Sequence, residues 1–218
     1  MNTTSAPDGL RLLVLGGSGA VGQQVLRLAL ADARVRRVIA PTRRALPAHA
    51  RLENPVVDFA RLADDAAPWQ ADAVICALGT TLRLAGSEAA FAAVDRDLVA
   101  RLAALARRGG ATRFALNSSL GASADGSFYL RVKAEVEQAV RALAYPQYVI
   151  VRPSLIDTRR AAARPAEQAG ALLARLFRPL IPRRYRAVTP TAIAAALLEG
   201  VLHGAPGERI VESESLQD

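Results

Sequence analysis

Two rhythms of apolar and polar positions alternate along most of this chain. "LRLLVL" (10–15) is a short apolar run that ends in glycine. The "AVGQQVLRLALADA" that follows puts Val21, Val25, Leu28 and Ala29 on one helical face. "VRRVIAPTRR" (35–44) begins as a second strand and stops at a proline turn. "NPVVDF" (54–59) predicts a short third strand. "ADAVICALG" (71–79) is apolar nearly throughout, as suits a parallel strand buried on both faces. Ser87 reads as the N-cap of a helix over 88–108, with Glu88 in its first turn, Arg107 and Arg108 in its last, and Gly109 just beyond. "ATRFALNSS" (111–119) is a fifth strand, "FYLRVKAEVEQAVRAL" (128–143) a helix, and "QYVIVRP" (147–153) a sixth strand stopped by Pro153. Strand and helix alternate from residue 10 to residue 153, which predicts an α/β fold, a doubly wound parallel sheet with helices on both faces.

Beyond Pro153 the alternation loosens. Pro165, Pro179 and Pro182 surround a short apolar helix, "GALLARLF" (170–177). "TPTAIAAALLEGVLHG" (189–204) has the start and stop of a last helix, and "ERIVES" (208–213) reads as a final short strand. The expectation is a single domain over 1–218, with a cofactor-binding core at 10–155 and a small substrate-side extension at 156–218.

Composition narrows the function classes. Half of the residues are hydrophobic, but no apolar run approaches a membrane span, and the polar start "MNTTSAPDG" lacks the pattern of a signal peptide. A single cysteine, Cys76, excludes an internal disulfide and suits a reducing compartment, so a cytoplasmic location is expected. With two histidines, His49 and His203, no metal site is expected. The net charge is +8, yet the arginines are scattered and no nucleic-acid-binding signature occurs, so neither nucleic acid nor membrane is an expected partner.

The turn "LLVLGGSGAVG" carries candidate chemistry. Gly16, Gly19 and Gly22, with Ser18, Ala20 and Val21 between them, follow a strand and open a helix. There a phosphate can approach the backbone closely and meet free N–H groups at a helix N-terminus. A dinucleotide is the implied ligand of this Rossmann-type unit. An NAD site would place an acid near the end of the second strand; this chain has Arg43 and Arg44, which suit a 2′-phosphate. NADP is therefore favoured over NAD. Asp58 and Phe59, at the end of the expected third strand, are candidates to border the adenine.

Lys133 is the one lysine among 28 basic residues. It stands four residues after Tyr129 on the same helix face. A phenol beside a cation, near a helix start, is suited to act as general acid or base on a carbonyl or alcohol. A compact ammonium can also insert between ribose hydroxyls, where a planar guanidinium is the wrong shape. Upstream, Ser118 or Ser119 lies at the end of strand five, where it can hydrogen-bond the substrate oxygen.

"GGSGAVG", the "SS" pair and "YLRVK" together resemble the short-chain dehydrogenase/reductase superfamily over residues 10 to 155. "CALGTTLRLAGSEAAFAAVDRDLV" and "RVKAEVE" look like an atypical, Tat-interacting-protein-like branch, whose members are variously described as NAD(P)-binding proteins or nucleoside-diphosphate-sugar epimerases. The resemblance implies Tyr129 as acid/base, Lys133 as ribose anchor, and Ser118 or Ser119 as the orienting group. The superfamily pattern points to the second serine and the branch spacing to the first. It also implies that Leu78, Gly79, Thr80 and Thr81 lie along the cofactor, and that Pro153, Ser154 and Leu155 approach the nicotinamide. The chain departs from the pattern where Asp95 replaces the Asn of many relatives and Ser154 replaces a Gly, and the gap from "SS" to Tyr129 is short.

These features point to an NADP-dependent oxidoreductase acting on a carbonyl or alcohol of a small substrate. The alternative is a catalytically weak or inactive NADP-binding regulator or scaffold; a sugar-nucleotide epimerase is less favoured, because little chain follows strand six. Arg159, Arg160, Arg164, Arg175, Arg178, Arg183, Arg184 and Arg186 outnumber Asp157 and Glu167 between 157 and 188. That density reads first as a solvated lid and second as a pocket for an anionic substrate. Trp69 and His203 read as packing or surface residues. "GASAD" (121–125) fails the nucleophile-elbow pattern at its last position, which argues against a serine hydrolase. The resemblance alone suggests a homodimer through the helices at 87–108 and around Tyr129.

Overall fold

The computed structural model describes residues 9–62, 69–157 and 182–217. Its strands are β1 (Leu10–Leu15), β2 (Val35–Ile39), β3 (Leu52–Glu53), β4 (Ala73–Cys76), β5 (Arg113–Asn117), β6 (Gln147–Arg152) and β7 (Gly207–Glu212). They form one sheet in the order β3-β2-β1-β4-β5-β6-β7, and every pairing is parallel. The chain moves outward from β1 to β3, then returns to β4 on the other side of β1. That reversal leaves a crevice above the carboxyl ends of β1 and β4, the place where open α/β sheets bind ligands.

Alternation along the strands feeds two apolar layers. Leu12, Val14, Ala73, Ile75, Ala115, Val149 and Val151 pack toward α1 (Ala20–Ala31) and α6 (Pro190–His203). Leu13, Leu15, Val74, Cys76, Phe114, Leu116 and Ile150 pack toward α4 (Val99–Arg108) and α5 (Phe128–Arg141). All four residues of β4 are buried, which explains its unbroken apolar run. Each fully buried Leu or Ile contributes about 1.5–3 kcal/mol of transfer free energy. Phe114 adds ring contacts to Tyr145 and Tyr148, at 5.0 and 6.1 Å between centroids. Trp69 is buried in the same layer, and His203 is exposed and paired with Glu199.

Three elements differ from the sequence reading. The third strand is Leu52–Glu53, ahead of the expected 54–59. Pro55 has no N–H for a ladder. The Asn54 carboxamide bonds to the Ala40 carbonyl and to Thr42 Oγ1, and accepts from the Leu46 N–H. Pairing resumes only as an isolated bridge between Thr42 and Val56. An additional short helix, α2 (Leu82–Ala85), precedes Ser87. The helix expected over 88–108 comprises α3 (Glu88–Ala92), a π-helical segment (Ala93–Leu98) and α4. Its ends match expectation: Ser87 Oγ accepts from the Ala90 N–H at 3.1 Å, and Gly109 is the C-cap. Asp95 is the buried residue of the π segment.

The expected final strand is present as β7, parallel to β6, and Thr189 caps α6. The expected helix at 170–177 lies outside the described residues. Among the described residues, no helix is long and apolar enough to cross a membrane.

Candidate functional site

The first turn of the crevice is shaped by backbone crowding. Gly16 has φ +83°, and a Cβ on it would lie 2.6 Å from the Ala77 carbonyl and the Leu78 nitrogen. A Cβ on Gly22 would lie 2.0 Å from the Gly16 oxygen. Both glycines therefore let the β1–α1 turn press against itself and against the end of β4. Gly19 is different. A Cβ there would meet only the Gly16 oxygen, at 3.4 Å. Ser18, Gly19 and Ala20 are exposed, while Val21 is buried in the core beneath them. No side chain caps α1, and its first turn contains no acid. The helix thus offers uncapped N–H groups and its positive end to open space, which fits a bound diphosphate.

Beyond β2, Arg43 and Arg44 are both exposed. Among the described residues neither guanidinium has an ion-pair partner. Thr42, which is buried, holds their loop by donating to the Arg44 carbonyl at 2.6 Å. Asp58 Oδ1 caps the short helix Phe59–Arg61 by accepting from the Ala60 N–H, and Phe59 packs against the α4 layer. After β4, Leu78 packs on the core and Gly79 is exposed. The Thr80 N–H donates to Asp95 Oδ2 at 2.7 Å, and Thr81 Oγ1 caps α2.

Helix α5 carries Tyr129, Lys133 and Glu137 on one stripe, four residues apart. Lys133 is only 7 % exposed, so its ammonium does not face bulk solvent. Nζ donates to Asp95 Oδ1 at 2.7 Å and lies 5.8 Å from the centroid of the Tyr129 ring. Tyr129 is half-buried beside Phe91, with centroids 5.5 Å apart, and its hydroxyl has no hydrogen-bond partner among the described residues.

The two serines diverge. Buried Ser118 donates to Glu137 Oε1 at 2.5 Å. Glu137 in turn accepts from Nη2 and Nε of Arg152, at 2.6 and 3.0 Å, and Nη1 of Arg152 reaches Glu212. Among the described residues the Ser119 hydroxyl makes only a 3.4 Å contact with the Leu120 carbonyl. On the far wall, the Pro153 carbonyl accepts from the Leu120 N–H. Ser154 donates through Oγ to the Arg186 carbonyl and through N–H to Ser213, and Leu155 is 76 % exposed.

Sequence reasoning placed Asp95 only as a departure from a pattern. Its role as the partner of Lys133 was signalled by its position, four after buried Phe91 and four before buried Val99. Glu137 continues the Tyr129–Lys133 spacing by one more step. Asn117, whose Oδ1 is buried with no partner among the described residues, carried no signal. Burial pushes the Cys76 thiol up to about 12, so it is no thiolate nucleophile. Among the described residues no cluster suits a metal ion. A cavity of about 430 Å³ lies along α5 beside Glu137 and Arg152, at the end of β6, and one of about 270 Å³ lies between α1 and α6; neither is lined by the glycine turn, Tyr129 or Lys133. Of the arginine-rich stretch, Arg183 and Arg184 are exposed, Arg183 donating to the Gln217 carbonyl. Arg159, Arg160, Arg164, Arg175 and Arg178 lie outside the described residues.

Comparison with known proteins gives the family of the chain and relatives of its fold. The family described as NAD(P)H-binding matches residues 16–175. Protein HTATIP2 of Rattus norvegicus is 34 % identical over 215 residues, covering 94 % of this chain and 87 % of that one. The mitochondrial protein fmp52 of Aspergillus niger is 33 % identical over 165 residues, 71 % of this chain and 70 % of its own length. Among solved structures, MoeE5 in complex with UDP-glucose and NAD superposes with a TM-score of 0.69 at 16 % identity, covering 94 % of this chain and 79 % of that one. That last likeness is one of fold.

Proposed function

The chain belongs to the NAD(P)H-binding family, an atypical branch of the short-chain dehydrogenase/reductase superfamily, and from that premise we propose an NADP-dependent oxidoreductase acting on a carbonyl or alcohol of a small substrate. One observation carries the reading. Tyr129 presents a hydroxyl with no partner among the described residues, on the same stripe of α5 as a buried lysine, whose ammonium lies 5.8 Å from the centroid of the phenol ring.

In this reading the uncapped start of α1, with Gly19 at its mouth, holds the diphosphate. Arg43 and Arg44 hold a 2′-phosphate, and Lys133 reaches the nicotinamide ribose. When bound, the nicotinamide supplies or accepts the hydride. Tyr129 gives its phenolic proton to a carbonyl oxygen as that carbonyl is reduced, and takes the proton back from an alcohol in the reverse direction. Ser119 orients the substrate oxygen, because Ser118 is already committed to Glu137. Asp58 and Phe59 border the adenine side. Leu78 to Thr81 and Pro153 to Leu155 form opposite walls. The exposed Arg183 and Arg184 stand on the chain leading to Arg186, whose carbonyl receives Ser154, and favour an anionic substrate. The single buried Cys76 suits a reducing compartment, and we propose the cytoplasm.

A second reading has its own support. Asp95 already neutralises Lys133, and a lysine so held is less available to a ribose or a phenol. This favours an NADP-binding regulator with little turnover. NADPH oxidation with a panel of aldehydes, ketones and keto acids separates the two. The enzyme reading expects turnover on at least one, reduced about 100-fold or more in Tyr129→Phe. Firm NADPH binding without turnover on any of them supports the regulator instead.

A further inference from the structure

Asn117 ends β5, paired in register with Val151 at the carboxyl edge of the sheet. Its side chain follows Ala115 on the face covered by α1 and α6, whereas its neighbour Ser118 turns to Glu137 on α5. Oδ1 is buried and has no hydrogen-bond partner among the described residues. An unsatisfied buried acceptor costs roughly 1–3 kcal/mol, and folded proteins retain few of them. A valine or leucine at the end of a central strand would avoid that cost. An acceptor kept in such a place is explained if a ligand brings the missing donor.

The topology indicates which donor. The glycine turn on β1 fixes the diphosphate, Arg43 and Arg44 beyond β2 fix the adenosine half, and Lys133 fixes the opposite ribose. The portion of the cofactor passing over β5 is then the nicotinamide half, and its carboxamide carries N–H donors. We propose that Asn117 Oδ1 accepts a hydrogen bond from the carboxamide of the bound nicotinamide, so that Asn117 is a cofactor-binding residue. The inference rests on the dinucleotide reading above.

Calorimetric titration of the full chain with NADPH, and with 2′-phospho-ADP-ribose, which lacks the nicotinamide, tests it. Asn117→Leu removes the acceptor at similar size, and Asn117→Ala serves if the leucine variant folds poorly. The expected result is an unliganded variant melting at or above the wild-type temperature, with NADPH bound about tenfold more weakly and 2′-phospho-ADP-ribose bound as before. Unchanged NADPH affinity overturns the inference. Equal weakening of both ligands overturns it too, since the contact would not be with the nicotinamide. If the wild-type chain itself binds neither ligand, the dinucleotide reading falls and takes this inference with it; in the other two outcomes the reading survives.

Discussion

A buried ammonium and a buried carboxylate are stable together and costly apart. Lys133 and Asp95 have side chains 8 % and 0 % exposed, and Asp95 divides its oxygens between Nζ and the Thr80 N–H. Lys133→Met would leave the carboxylate with the amide alone. Stability in urea is expected to fall by about 3–5 kcal/mol. Lys133→Met combined with Asp95→Asn is expected to recover most of that loss, because the carboxamide oxygen can still accept from Thr80. NADPH affinity should remain low in the double variant, since no ammonium is left for the ribose. Recovery of binding along with stability would show that Lys133 serves the fold and not the ligand.

Helix α1 isolates the difference between a glycine that packs and a glycine that faces a ligand. Gly22→Ala places a methyl 2.0 Å from the Gly16 oxygen, where the backbone cannot yield cheaply. Its melting temperature is expected to drop steeply. Gly19→Ala meets only a 3.4 Å contact, so the fold should hold while NADPH binding falls at least about tenfold through obstruction of the diphosphate. Thermal melts and NADPH titrations of both variants check this; a Gly19→Ala chain that binds normally would move the diphosphate elsewhere. At this scale the sequence was informative where periodicity was long. Strands β1, β5 and β6 and helices α1, α5 and α6 all fall within the stretches read for them. It was less informative where tertiary contacts override local pattern. Pro55 and the Asn54 carboxamide displace the third strand, and the π segment around Asp95 depends on partners at Thr80 and Lys133. No local rule distinguishes Ser118 from Ser119 either, because the difference comes from Glu137, 19 residues downstream of Ser118.

Across the whole molecule, the strand order brings four distant stretches to one edge of the sheet. The glycine turn meets the end of β4, and the loop after β4 meets the inner stripe of α5 through Asp95, because β4 returns beside β1; Arg43 and Arg44 follow β2 at the same edge. Spacing alone could suggest each part; the parallel topology sets them at one edge of the sheet, as the proposed site requires. The direct measurement of that site is the melting temperature of the chain alone, with NADPH and with NADH. At a ligand concentration about 100-fold above the dissociation constant, binding adds about 2.7 kcal/mol, or about 5–10 °C for a chain of this size. The account expects a shift of that order with NADPH, a smaller one with NADH, and loss of the difference in Arg43→Ala/Arg44→Ala. A melting temperature that neither nucleotide moves would contradict it.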